Sequence, residues 1–111
     1  MLVKVFIKRR FKEGNLKEIF TQLRKIRSDA MRREGYVSGE TLVEIDDPKK
    51  VMVVSIWQTM EDWLEWKKDA VRIERNKELE KMLKTPTEYE AYAYSKYYLK
   101  LSTDAKCPSR P

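Results

Sequence analysis

The sequence contains no histidine. That excludes histidine acid–base chemistry, Ser-His and Cys-His nucleophilic couples, His-ligated haem and most catalytic zinc sites. A metal site built from carboxylates alone would need clustered Asp and Glu, and no such spacing occurs, so no metal is expected. Cysteine occurs once, at Cys107. One thiol cannot form an intrachain disulfide, and a reducing cytoplasm is the expected compartment. Cys107 lies near Pro108 and Pro111 with no resolving cysteine or activating histidine, so it reads as a tolerated exposed thiol. No apolar run approaches the roughly 18 residues of a membrane span. The segment Met1-Leu2-Val3-Lys4-Val5-Phe6-Ile7-Lys8 lacks the basic start and long apolar stretch of a signal peptide, and reads as a strand.

What is present suits one globular domain. The chain has 111 residues, 41% hydrophobic and 38% charged, with three Trp, six Tyr and three Phe to anchor a core. The formal net charge is +6. The 24 Lys and Arg are interleaved with 18 Asp and Glu, which reads as a solvated mixed-charge surface rather than a nucleic-acid face.

Residues 2–11 predict a first strand, with Val3, Val5 and Ile7 on one face and Lys4 and Lys8 on the other; Phe6 breaks the alternation, as in a sheet covered on both sides. Asn15 with Glu18 makes a variant capping box. Leu16, Ile19, Phe20, Leu23, Ile26, Ala30 and Met31 then form one helical stripe, which Gly35 is expected to end in a left-handed conformation after about five turns. Residues 36–45 alternate, setting Val37, Thr41, Val43 and Ile45 against Ser38, Glu40 and Glu44. After the turn Asp46-Asp47-Pro48-Lys49-Lys50, residues 51–58 form a nearly continuous apolar run that suits a buried central strand. Thr59 with Asp62 caps a helical region over 60–84. A break is expected near Lys68-Asp69, and Thr85-Pro86-Thr87 stops the region. The tyrosine-rich residues 88–100 predict a last strand.

The order β-α-β-β-α-β is the ferredoxin-like arrangement of the α+β class, a four-stranded antiparallel sheet with its helices on one face. The domain is expected over 1–100, with 101–111 a flexible tail. The third strand is apolar on both sides, and Tyr92, Tyr94 and Tyr98 share one face of the last strand. Two copies packed sheet to sheet would cover this surface, so a homodimer is expected.

The segment Ser55-Ile56-Trp57-Gln58-Thr59-Met60-Glu61-Asp62-Trp63-Leu64-Glu65-Trp66 resembles the antibiotic biosynthesis monooxygenase (ABM) superfamily. There a strand ends in Trp, a Ser/Thr cap follows, and a short helix carries an aromatic and then a Trp. Arg33-Glu34-Gly35-Tyr36-Val37-Ser38-Gly39 is similar to the family's glycine-aromatic approach to its second strand, and the likeness runs from about residue 2 to 94. The resemblance implies a dimeric α+β barrel, a pocket between the helices and sheet of each subunit, and an oxygenase using neither metal nor flavin. The family's haem-degrading branch places an Asn on the first strand, a Trp on the short helix and a proximal His beyond it. Here Ile7 and Asn76 stand at the Asn and His positions and only Trp66 matches, so the resemblance does not extend to that branch.

Cofactor-free oxygenation needs a dry pocket that binds an electron-rich phenol or enol, favours its anion and lets that anion reduce oxygen. Trp57, Trp63 and Trp66 are candidates for its apolar wall, with Ile7 and Ile73. Asn76, three residues from both Ile73 and Leu79, is a candidate donor to a substrate oxygen, and Arg9 or Arg10 a stabiliser of an anion. Trp66 and Asn76 are the catalytic candidates; Ile7, Arg9, Trp57, Trp63 and Ile73 are the substrate-binding ones. Each also has a plainer reading: the tryptophans as core anchors, Asn76 as a solvated helix residue, the basic cluster as a strand end in water. The leading function is a cofactor-independent monooxygenase of a small hydrophobic, aromatic or polyketide-like compound. A non-catalytic ligand-binding or scaffold homodimer is the alternative. An RNA-binding module ranks third, because the expected Gly-aromatic strand motif is missing from Val53-Val54-Ser55-Ile56-Trp57.

Overall fold

The computed structural model describes residues 1–96. β1 (Val3–Arg10) lies inside the sheet because its residues are needed on both sides. Val3, Val5, Ile7 and Arg9 are buried under the helices, and Lys4, Phe6, Lys8 and Arg10 point the other way. β1 pairs antiparallel with β3 (Lys50–Trp57) on one side and β4 (Glu88–Ala93) on the other, and β2 (Tyr36–Val43) pairs with β3 as an edge. The order β2-β3-β1-β4 is that of the ferredoxin-like α+β fold. In β3, Val51, Ser55 and Trp57 are buried against the helices, while Met52, Val54 and Ile56 supply the apolar second face.

α1 (Leu16–Ala30) starts where expected, with Asn15 Oδ1 accepting from the Glu18 N–H at 3.1 Å. It ends earlier than expected, at Met31, after four turns. Gly35 is left-handed (φ +84°), but it turns the chain into β2 rather than closing the helix. A Cβ there would fall 2.1 Å from Asp62 Oδ2, so the position is closed to a side chain by space as well as by φ. The region 60–84 is two helices, α2 (Met60–Lys67) and α3 (Ala70–Glu80). Thr59 Oγ1 accepts from the Asp62 N–H at 3.1 Å, and Asp69 Oδ1 from the Val71 N–H at 2.8 Å, so each helix has its own cap.

Two strands differ from the sequence reading. In β2 the register shifts between Tyr36 and Ser38. One extra residue resets the alternation, which brings Tyr36, Gly39 and Thr41 toward the helices and leaves Val37 out; Ile45 lies beyond the strand, 94% exposed. β4 ends at Ala93, opposite Val3 at the start of β1, so Tyr94 lies beyond the strand. Tyr98, the tail 101–111 and Cys107 lie outside the described residues.

The helices cover one face of the sheet. One cluster packs Val3, Val5, Ile7 and Trp57 against Ala30, Trp63 and Trp66; the other packs Phe11 and Val51 against Ile19, Leu23 and Leu79. Arg75 Nε binds Asp29 Oδ2 at 2.8 Å and ties α3 to α1. No helix among the described residues is long and apolar enough to cross a membrane.

Candidate functional site

Between the sheet and the helices runs a cleft. Its floor is Ile7 and Arg9 of β1, Val53, Ser55 and Trp57 of β3, and Gly39 and Thr41 of β2. Its roof is Leu23, Ile26, Arg27 and Ala30 of α1, Trp63 and Trp66 of α2, and Arg72 of α3, with Tyr36 at one end. The inward side chains alternate along the strands as the pleat requires, and Trp63 and Trp66 sit three apart on one helical face. The free space is about 40 Å³, little more than the roughly 30 Å³ share of one water. A larger hollow, about 420 Å³, lies on the outer sheet face between Lys4, Phe6, Met52 and Tyr92. It is an open surface, whereas the cleft is where side chains converge out of water.

The aromatic wall is fixed by specific contacts. Trp57 Nε1 donates to Ser55 Oγ at 3.1 Å, which satisfies a buried indole N–H. Tyr36 stands edge-on to Trp57, centroids 5.3 Å apart, and Trp63 leans on Trp57 at 6.0 Å and on Tyr89 at 6.1 Å. The Tyr36 ring reaches across its own strand because Gly39 has no side chain; a Cβ there would lie 2.5 Å from the Tyr36 hydroxyl. Burial raises the Tyr36 pKa above its usual value, partly opposed by Arg27, so the phenol stays a donor. Trp66 is stacked by the Arg33 guanidinium, 4.9 Å from the ring centroid.

The charged groups of the cleft among the described residues are all cations. Arg9 is buried, its Nη2 donates to Asn76 Oδ1 at 3.1 Å, and its Nε has no partner. Burial, and then the charge of Arg72, push the Arg9 pKa down to about 10. Arg72 is also buried; its Nη2 donates to the Tyr89 hydroxyl at 3.2 Å, and its guanidinium lies 5.4 Å from the Trp63 centroid. Arg27 donates to Thr41 Oγ1, a bridge from α1 to the edge strand across the rim. Among the described residues, no carboxylate lines the cleft. Among the described residues, no three His, Cys, Asp or Glu side chains gather to hold a metal ion.

Ile7, Arg9, Trp57, Trp63 and Trp66 are therefore brought together on one cleft. Asn76 is buried, but it meets Arg9 from behind and borders a different hollow, with Glu80, Pro86 and Tyr89. Ile73 is 49% exposed on the outside of α3. The buried stripe of that helix is Arg72, Asn76 and Leu79, at i, i+4 and i+7, because the Arg72 guanidinium finds aromatic faces and a hydroxyl to lie against. Arg10 points away from the cleft, toward Asp47 at 3.6 Å. The sequence reading missed Arg27, Arg72, Tyr36 and Thr41. For Arg72 the signal was its spacing from Asn76 and Leu79; the inward turn of Tyr36 depends on the bulge, which left no mark in the pattern.

A family model described as antibiotic biosynthesis monooxygenase matches residues 2–71. Among solved structures, the fold is similar to SnoaB, a cofactor-independent oxygenase from Streptomyces nogalater (TM-score 0.74, 14% identity, 85% of this chain and 94% of that one). It is similar to a conserved protein from Methanosarcina mazei Go1 (0.77, 16%, 83% and 91%). A third likeness is to Rv0793 from Mycobacterium tuberculosis (0.75, 11%, 85% and 95%). At these identities the likeness is one of fold. No curated protein matches the chain.

Proposed function

The chain belongs to the antibiotic biosynthesis monooxygenase family, and from that premise we propose that it is a cofactor-independent monooxygenase of a small aromatic or polyketide-like compound. The observation that carries the reading is the cleft itself, walled by Trp57, Trp63 and Trp66 and furnished with buried guanidinium groups. Tryptophan faces suit an aromatic ring. Arg9 favours the anion of a bound phenol, the electron-rich form that can reduce oxygen. For a phenol oxidised to a quinone the balance closes without another reductant: the substrate loses four electrons, one oxygen atom enters the ring, and the other leaves as water. Trp66, against the ring, is the proposed catalytic residue, and Asn76, which lines a different hollow, is a positioning residue that holds Arg9 in place. Ile7, Trp57 and Trp63 complete the binding wall; Ile73, out in solvent, would not contribute.

A ring is larger than the free space, so the cleft must widen for one to enter. The same narrowness favours a second reading, a non-catalytic ligand-binding or scaffold dimer. Oxygen uptake with a panel of naphthols and hydroxyanthracenes decides between them. Turnover that survives chelators and is abolished in Trp66→Ala is expected; thermal stabilisation by the same compounds with no oxygen consumed would establish the second reading.

We further propose that two copies pair through the outer sheet face, where Phe6, Met52, Ile56 and Tyr92 remain partly open to solvent. The single cysteine fits a cytoplasmic home.

A further inference from the structure

We infer that the ligand of the cleft carries a fixed negative charge, an aromatic carboxylate whose ring lies among the tryptophans and whose carboxylate bridges Arg9 and Arg72. The inference rests on the reading of the cleft as the ligand site, though not on oxygen chemistry.

Buried arginines are almost always paired with a carboxylate, because a charge removed from water needs a counter-charge. Arg9 and Arg72 are 4% and 3% exposed. Among the described residues neither forms an ion pair, and their partners are neutral: the Asn76 amide oxygen for Arg9, the Tyr89 hydroxyl and the Lys67 carbonyl for Arg72. The two cations also feel one another, and Arg72 is the largest electrostatic influence opposing the charge on Arg9. Glu80 acts on Arg9 in the favourable direction but lies exposed on α3 and makes no ion pair with it. The Arg9 Nε–H is buried and unpartnered. With Arg27 as a third cation and no acid among the described lining residues, the charges of the cleft are of one sign.

A phenolate alone offers one oxygen. Two guanidinium groups on different elements suit a two-oxygen acceptor, since the planar fork of arginine matches a carboxylate. The aromatic walls set the other half of the specificity: Trp63 lies against the Arg72 guanidinium, and Trp57 lies against Trp63. A ring on these indoles would place an attached carboxylate near the cations.

Thermal melting of the full chain with 2-hydroxybenzoate, 2-hydroxybenzamide and acetate tests this. The three probes are ring with charge, ring without charge, and charge without ring. The expected result is a clear rise in melting temperature with the hydroxybenzoate alone, lost in Arg9→Gln. Arg72→Lys, which keeps the cation and loses the fork, is expected to weaken binding about tenfold. Arg72→Gln serves only if it melts as cooperatively as the parent chain. Equal stabilisation by the benzamide, or by acetate, would overturn the inference, as would a full shift retained in Arg9→Gln. Oxygen uptake recorded on the same samples keeps the two proposals apart. Stabilisation without uptake upholds the carboxylate site and sinks the oxygenase. Uptake with neutral naphthols, lowered in Arg9→Gln, with no stabilisation by the hydroxybenzoate, does the reverse.

Discussion

At the scale of the residue, Arg9 shows most clearly the tension between stability and a binding role. Its pKa is pushed down to about 10, chiefly through burial and then through Arg72. The charged form is therefore disfavoured in the fold. The sign follows from linkage. Above about pH 10 the folded state gives up this proton before the unfolded chain does, so stability rises with pH there. Below pH 10 both states keep the proton, so the penalty is constant and Arg9 adds no slope between pH 6 and 9. Arg9→Gln removes the charge and keeps a donor for Asn76, at the cost of some packing. It is expected to raise ligand-free stability by about 1–2 kcal/mol in urea titrations, by the same amount at pH 6 and pH 9. A loss of stability would mean that the guanidinium is needed by the fold itself. The basic cluster marked Arg9 as a candidate beforehand, but only the pleat separates it from Arg10, which faces Asp47 in solvent.

At the scale of the element, the division of residues 60–84 sets the site. α2 carries Trp63 and Trp66 and α3 carries Arg72, so the angle between the helices decides whether ring wall and cation meet. The Asp69 carboxylate starts α3 through the Val71 N–H and also meets Arg33 Nη2 at 3.3 Å, while the Arg33 guanidinium covers Trp66. Asp69→Ala is expected to cost about 1 kcal/mol through the cap alone, and Asp69→Asn much less, both read from chemical denaturation. Asp69→Ala is also expected to alter Trp fluorescence as Arg33 is released from the indole. The break was legible because a capping residue interrupts the pattern at Lys68-Asp69. The register shift in β2 was not, because a bulge needs no distinctive residue and changes only which side chains face inward. The helix C-terminus was misplaced for a related reason: Gly35 signals a left-handed residue without saying whether it ends a helix or begins a strand.

At the scale of the whole molecule, the outer sheet face is the surface on which the proposed dimer rests. Phe6 and Tyr92 meet edge-on there at 5.5 Å, and Lys8 pairs with Glu90 at 3.2 Å, leaving an apolar centre with a charged margin. Homodimers close such faces isologously. Tyr92, 53% exposed, is a side chain on which a charge harms the monomer little. Tyr92→Lys is expected to shift the species seen by light scattering from twice the chain mass to the chain mass, with its circular dichroism unchanged. A parent chain that already scatters as a monomer at micromolar concentration would remove the dimer from the proposal.

The chain's own pattern determined the element order, the caps at Asn15, Thr59 and Asp69, and the apolar faces of β1 and β3. These are local matters, settled by periodicity and by which side chains can bond a free N–H. The tertiary structure alone decided that Arg72 and not Ile73 turns inward, that Tyr36 crosses Gly39, and that three arginines and three tryptophans share one cleft. Those outcomes depend on contacts between residues as far apart as Arg9 and Asn76. No window of sequence contains both partners, and the energy that settles their orientation exists only once the sheet and helices have met.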